Sequence, residues 1–245
     1  MRSPPEPGGG PPPRPLEPIG AGGSRDCFAH PDDPRLCIKV AKSARGAKAS
    51  AREARYLARV ERRFPDADLA RLPRYRGRVA TDRGPGWVQD RVTDASGRPS
   101  PTLLAALDVE ALARDPERWR RGVEEFRRWA LALPVLLRDL AATNVCARTA
   151  EGGDLELVPI DGYVPRGTWR RWFPDRRLAA ERNAAELRAW GFDATDALLA
   201  SVERVRRDAS RAELHARPTR LVSSDAPPGA ARAGRTGPPR ANRRI

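Results

Sequence analysis

Lysine is scarce in this chain. Of its 46 lysine and arginine residues only Lys39, Lys42 and Lys48 are lysines, so arginine carries almost all of the net charge of +14. With alanine also abundant, that skew reflects GC-rich coding more than selection for phosphate binding. Histidine occurs twice and cysteine three times, at Cys27, Cys37 and Cys146. An odd number of widely spaced cysteines supports neither a disulfide framework nor zinc-ligand spacing, and reduced structural thiols are expected. No run approaches the roughly 20 apolar residues of a membrane helix. The longest, around Trp129 to Leu137, is broken by Pro134. The Pro/Gly-rich N-terminus lacks the apolar segment of a signal peptide. These absences predict a cytoplasmic protein without a membrane partner.

What is present divides into a folded middle and two biased ends. Residues 1–15 are a Pro/Gly segment and residues 217–245 an Arg/Pro-rich tail, and both are expected to be disordered. The last 30 residues hold seven arginines against Asp225, while the first fifteen hold Arg2 and Arg14 against Glu6. That leaves an ordinary basic charge on the middle. Nucleic acid is therefore expected only as a non-specific partner of the tail. At 40% apolar content the middle can bury one substantial core or two small lobes.

The first half reads as about five strands and one helix. Leu16 to Ile19 leads into the glycine turn Gly20-Ala21-Gly22-Gly23, followed by strands at Cys27 to Ala29 and Leu36 to Val40. Leu57, Val60 and Phe64 give Ala47 to Phe64 helical periodicity. Glu53, one turn before Leu57, falls on the same inward face, where a carboxylate needs a partner. Tyr75 to Ala80 and Trp87 to Val92 read as a strand pair around Asp82 to Gly86. In the second half, Asp115-Pro116 caps a helix whose apolar positions are Trp119, Val123, Phe126, Ala130 and Leu133. Strands at Val145 to Arg148 and Leu155 to Ile160 follow, then helices near Pro174 to Trp190 and Ala194 to His215.

The chemistry-bearing residues come in a telling order. Arg138-Asp139-Leu140-Ala141-Ala142-Thr143-Asn144 has the spacing of a kinase catalytic loop, with an aspartate to take a hydroxyl proton and an asparagine five residues on to hold magnesium. Seventeen residues later an apolar strand ends at Asp161-Gly162, where the second magnesium ligand is expected. Lys39, a lone ammonium in the strand Leu36 to Val40, is expected to meet the α/β-phosphates, held straight by Glu53. Gly20 and Gly22 supply a turn for phosphate approach, although Arg25 stands where a third glycine would complete the motif. Asp139, Lys39 and Glu53 are thus the candidate catalytic residues. Gly20, Gly22, Lys39 and Asn144 are candidates for the nucleotide, and Asn144 and Asp161 for the metal. Singly, each has an ordinary explanation: an edge lysine, a surface ion pair, a plain Asp-Gly turn.

Further residues make the resemblance narrower. Ile19-Gly20-Ala21-Gly22, Arg25, Cys27 through Pro34, Cys37-Ile38-Lys39-Val40, Arg52-Glu53, Leu72 through Gly77 and Thr168-Trp169 resemble the YrbL family of PhoP regulatory network proteins, from about residue 16 to 190. The resemblance implies a protein-kinase-like fold and use of ATP and Mg²⁺. The expected architecture is α+β: a minimal bilobal kinase-like domain over residues 16–216. Its N-terminal lobe, about 16–94, is an antiparallel sheet plus one helix, and its small helical lobe spans about 95–216. Leu137 replaces the usual histidine, Ala141 the usual lysine, and Ile160 precedes Asp161; no Ala-Pro-Glu motif follows. These departures argue against an ordinary Ser/Thr protein kinase. Two functions stay open beside tail-mediated nucleic-acid binding: an atypical ATP-dependent phosphotransferase, and a regulatory pseudokinase that senses nucleotide or binds a protein partner.

Overall fold

The computed structural model describes residues 16–65, 69–163 and 176–215. The two terminal segments, Thr168-Trp169 and Pro174 lie outside them. The chain begins with β1 (Pro18–Ala21), β2 (Arg25–Ala29), β3 (Leu36–Ala41), α1 (Ala44–Arg63), β4 (Tyr75–Thr81) and β5 (Gly84–Asp90). These strands form one antiparallel sheet in the order β1-β2-β3-β5-β4. The central strand, β3, has four consecutive buried residues, Cys37 to Val40, whereas β4 alternates as an edge strand must. Close packing of β3 on β5 requires Gly86, because a Cβ there would lie 2.5 Å from Ile38 Cγ2.

Helix α1 starts three residues before the periodicity predicts, because Ser43 caps it by accepting from Gly46 N at 3.2 Å. Its first turn abuts the glycine turn. Lys42 N donates to Ser24 O at 2.9 Å, and a Cβ on Gly46 would come within 2.9 Å of that same oxygen. Strand β5 ends at Asp90, two residues short of expectation. Arg91 N then donates to Arg35 O at 2.7 Å, and the chain leaves the sheet as a linker.

The helical part comprises α2 (Leu103–Ala106), α3 (Val109–Arg114), α4 (Pro116–Ala132), the hairpin β6 (Val145–Thr149) with β7 (Leu155–Pro159), α5 (Arg176–Ala189) and α6 (Thr195–His215). Helices α2 and α3 are too short to leave a periodic signal. Asp115 caps α4 with Pro116 in its first turn, as its sequence predicts, and the last turn closes at Leu133 before Pro134. Gly122 lets α4 lie on β7, since a Cβ there would sit 2.9 Å from Leu155 O.

The cores are unequal. Phe28, Ile38, Val40 and Val88 form a small cluster in the sheet. Tyr56, Leu57 and Val60 of α1 join Trp119, Val123 and Phe126 of α4 in the large one. Helix α1 thus lies between β3 and β4 in sequence but packs its apolar stripe into the helical core. That position aims Glu53 at the junction between the two parts.

Candidate functional site

The junction is built around Asp161, which follows β7 after Ile160. Gly162 has φ +86°, and a Cβ there would fall 1.6 Å from Arg138 O. Only glycine allows this approach, and with it Gly162 O accepts from Arg138 N at 2.7 Å. That bond seats Asp161 against the loop bearing Asp139. Ile160 N donates to Asn144 O at 2.8 Å, which brings Asn144 to the same edge.

Asp139 takes φ 61°, the left-handed region, and is the only non-glycine residue to do so among the described residues. Its backbone N–H donates to Glu186, which also accepts from Leu140 N at 3.2 Å and Trp190 Nε1 at 2.9 Å. One turn away on α5, fully buried Asn183 accepts from Leu137 N at 2.9 Å and donates to Ala130 O at 2.8 Å and Val135 O at 2.9 Å. These two side chains hold the loop from behind. Sequence reasoning missed both, because α5 is only weakly amphipathic and its inward polar pair has no apolar stripe to stand out from.

From the sheet, Lys39 is nearly buried and its Nζ donates to Ile160 O at 2.6 Å, crossing the junction directly. Glu53 is buried as expected, but its partner differs from the one predicted. The guanidinium of Arg25 donates to Glu53 through one nitrogen and to Asp161 through the other. The expected Lys39–Glu53 pair is therefore corrected: Arg25, in the third-glycine position, lies between the carboxylates, and Lys39 is left to the backbone. A guanidinium fork spans two carboxylates where a single ammonium bonds as a point. Gly22 N donates to Arg25 O at 2.8 Å, and a Cβ on Gly22 would press that oxygen at 3.1 Å, so this glycine shapes the turn carrying Arg25. Gly20 lies in β1 opposite Cys27.

The electrostatics follow from burial and these pairings. Burial opposes charge on Arg25, but Glu53 and Asp161 outweigh it and raise its pKa. Burial lifts the Glu53 carboxyl above its ordinary range against the pull of Arg25, and Glu53 Oε1 is buried without a hydrogen bond. Asp161 is held low: burial pushes it up, but Lys39, Arg25 and the Gly162 N–H prevail. Asp139 is raised by burial and by Asp161 and Glu186 nearby. Two carboxyls meeting at one site thus have pKa values displaced in opposite directions, Asp139 upward and Asp161 downward.

Among the described residues no group of three or more His, Cys, Asp or Glu side chains is arranged to hold a metal alone. The donors Asp161 and Asn144 suit magnesium, which takes one or two protein oxygens and completes its shell with water and phosphate. Asn144 Nδ2 donates to Asp139 O at 3.1 Å, leaving Oδ1 as its acceptor. The three cysteines are unpaired, and no described helix is long and apolar enough to cross a membrane.

The kinase domain of PF14_0431, a solved structure, aligns with 62% of this chain and 51% of its own at TM-score 0.41 and 11% identity. Among curated proteins, the uncharacterized protein YrbL of Escherichia coli (strain K12) is 32% identical over 165 residues, covering 63% of this chain and 76% of that one. Its Shigella flexneri counterpart gives the same figures. The family model described as PhoP regulatory network protein YrbL matches residues 15–189, a span that includes the glycine turn, Lys39, Glu53, the Asp139 loop and Asp161. With residues 15–189 matched by that model and its β-rich and helical parts meeting at that constellation, the chain belongs to the YrbL family.

Proposed function

We propose that the chain is an atypical phosphotransferase that binds Mg·ATP between the sheet and the helical part and passes the γ-phosphoryl group to a hydroxyl acceptor. The observation that carries this is the seating of Asp161 against the Asp139 loop by Gly162, with Lys39 bonded across to Ile160 O. Phosphoryl transfer asks for positioning and charge compensation rather than covalent chemistry. Asn144 and Asp161 would hold the ion, which when bound neutralises phosphate charge. Lys39 turns from Ile160 O to a phosphate, and Glu53 and Arg25 support the sheet side. Asp139 orients the acceptor hydroxyl and takes its proton, a role its raised pKa suits.

One observation favours a second reading. Arg25 occupies both Glu53 and Asp161, and Ala141 removes a cation otherwise expected near the γ-phosphate. A pseudokinase that senses nucleotide without turnover would tolerate both. Measuring Mg·ATP affinity and phosphate release for wild type, Asp139→Asn and Asp161→Asn separates the two. Asp161→Asn is expected to lose metal-dependent affinity and turnover together. Asp139→Asn is expected to keep affinity while turnover falls ~10²–10⁴-fold, the usual worth of a general base. Equal turnover in wild type and Asp139→Asn removes Asp139 from the chemistry, and binding without turnover in wild type assigns the pseudokinase role.

A further inference from the structure

Away from that cleft, a cavity of about 490 Å³ opens where the start of β3, the entry to β4, the linker after β5 and the β6–β7 hairpin meet. Arg35, Arg71, Arg76, Arg91 and Arg148 line it, against the carboxylates of Asp33 and Asp90. Its size is that of a small-ligand site. Five guanidinium groups would not be expected to converge on a concave surface unless their charge were answered.

Much of it is answered, and the remainder is informative. Arg35 is paired with Asp33 and Arg76 with Asp90, both through two bonds. Arg148 is paired with Glu156, outside the lining. Arg71, whose side chain is 13% exposed, reaches Glu125 through Nη2 at 3.3 Å, yet its Nη1 is buried without any hydrogen bond. Arg91 is half-buried, and among the described residues its guanidinium has no hydrogen-bond or ion-pair partner. A buried donor left unpaired costs about 1–3 kcal/mol, more when charged. Arg91 therefore brings unused guanidinium donors to the cavity, and Arg71 adds a second, incompletely paired guanidinium charge to its lining.

We propose that this cavity binds a phosphorylated small molecule through Arg71 and Arg91, as an anion site separate from the Lys39–Asp161 cleft. Phosphate matches the planar donor fork of arginine, and two such forks favour a ligand with more than one phosphate oxygen face. The arginine-rich tail of the chain has the wrong charge to be the occupant. The proposal does not depend on ATP binding in the cleft.

Inorganic pyrophosphate is the probe, titrated into the full chain in EDTA at fixed ionic strength and followed by ³¹P NMR line broadening. Arg91→Gln is expected to weaken binding at least tenfold, with Arg91→Lys recovering only part. Should circular dichroism show Arg91→Gln unfolded, Arg71→Gln tests the same cavity and is expected to weaken binding severalfold. Lys39→Met, which alters the cleft alone, is expected to leave the affinity unchanged. Wild type that does not bind at millimolar pyrophosphate overturns the proposal, as does an affinity indifferent to whichever of these two arginine variants folds. Loss of binding in Lys39→Met would assign the anion to the cleft, and loss on deleting residues 217–245 would assign it to the tail. Preference for a poly-glutamate peptide over pyrophosphate would make the surface a protein-docking site instead.

Discussion

Replacing Arg25 with methionine keeps most of the side-chain volume and removes the charge between Glu53 and Asp161. The two carboxylates then fare differently. The Asp161 side chain is 32% exposed and can recover solvent, whereas that of Glu53 is only 9% exposed and cannot. An unpaired buried carboxylate escapes by taking up a proton, which limits the damage. Holding a carboxyl of ordinary pKa 4.5 protonated at pH 7 costs about 3.4 kcal/mol, at ~1.36 kcal/mol per pH unit, and at pH 5 only about 0.7 kcal/mol. The sign follows from linkage. A carboxyl whose folded pKa is raised retains its full stability contribution below the unfolded value and loses it as pH rises toward the folded value. The pKa of Glu53 is already raised, and without Arg25 it rises further. Arg25→Met is therefore expected to lose about 2–3 kcal/mol at pH 7 and no more than about 1 kcal/mol at pH 5. For a chain of this size the neutral-pH loss corresponds to roughly 5–10 °C in melting temperature. Urea unfolding of wild type and variant in EDTA at pH 5, 6 and 7 measures this. A deficit equal at all three values, or larger at pH 5, refutes the account of Glu53 as a buried carboxyl whose charged form depends on Arg25.

Three further outcomes are expected. Gly162→Ala sets a Cβ 1.6 Å from Arg138 O at a φ of +86°, so Asp161 must move or the loop must open; thermal melting should fall by at least several degrees and Mg·ATP affinity should be lost. Asn183→Leu leaves Leu137 N, Ala130 O and Val135 O without their shared partner, a loss of about 3 kcal/mol or more in chemical denaturation. Cys27 is pulled to about 7, chiefly by a hydrogen bond from the Cys37 thiol, with Lys39, Arg91 and Arg25 adding to it, while burial pushes Cys146 up to about 11. Iodoacetamide at pH 8 should therefore label Cys27 well before Cys146 by peptide mass spectrometry, with equal rates as the contrary result.

Periodicity made the sheet and the two principal α-helices legible. Burial of Glu53 followed from its place one turn before Leu57, and the adjacency of Asp139 and Asp161 from hairpin geometry. Partner choice was not legible. Nothing local distinguishes Arg25 from the chain's many other arginines, and its role appears only once Gly22 turns the strand and α1 brings Glu53 under it. Lys39 is the partner that the order of strand lysine and helix glutamate in a kinase-like set suggests. The support behind the Asp139 loop was hidden for a related reason. Asn183 and Glu186 lie more than forty residues away, and polar residues on a helix ordinarily face water. The short α2 and α3 escaped because a helix of one or two turns cannot display a period.

The left-handed backbone at Asp139 has a consequence for how the site comes into being. A non-glycine residue in that region carries roughly 1 kcal/mol or more of strain, and the acceptor that draws its N–H outward is Glu186, 47 positions downstream. Local contacts such as Asn144 Nδ2 to Asp139 O leave that N–H without its acceptor until α5 is in place. During synthesis the strands, α1 and the β6–β7 hairpin can all be in place while Asp139 still samples ordinary conformations. The Asp139 N–H meets its acceptor only when α5 docks, so the loop is completed by a helix far downstream in the chain.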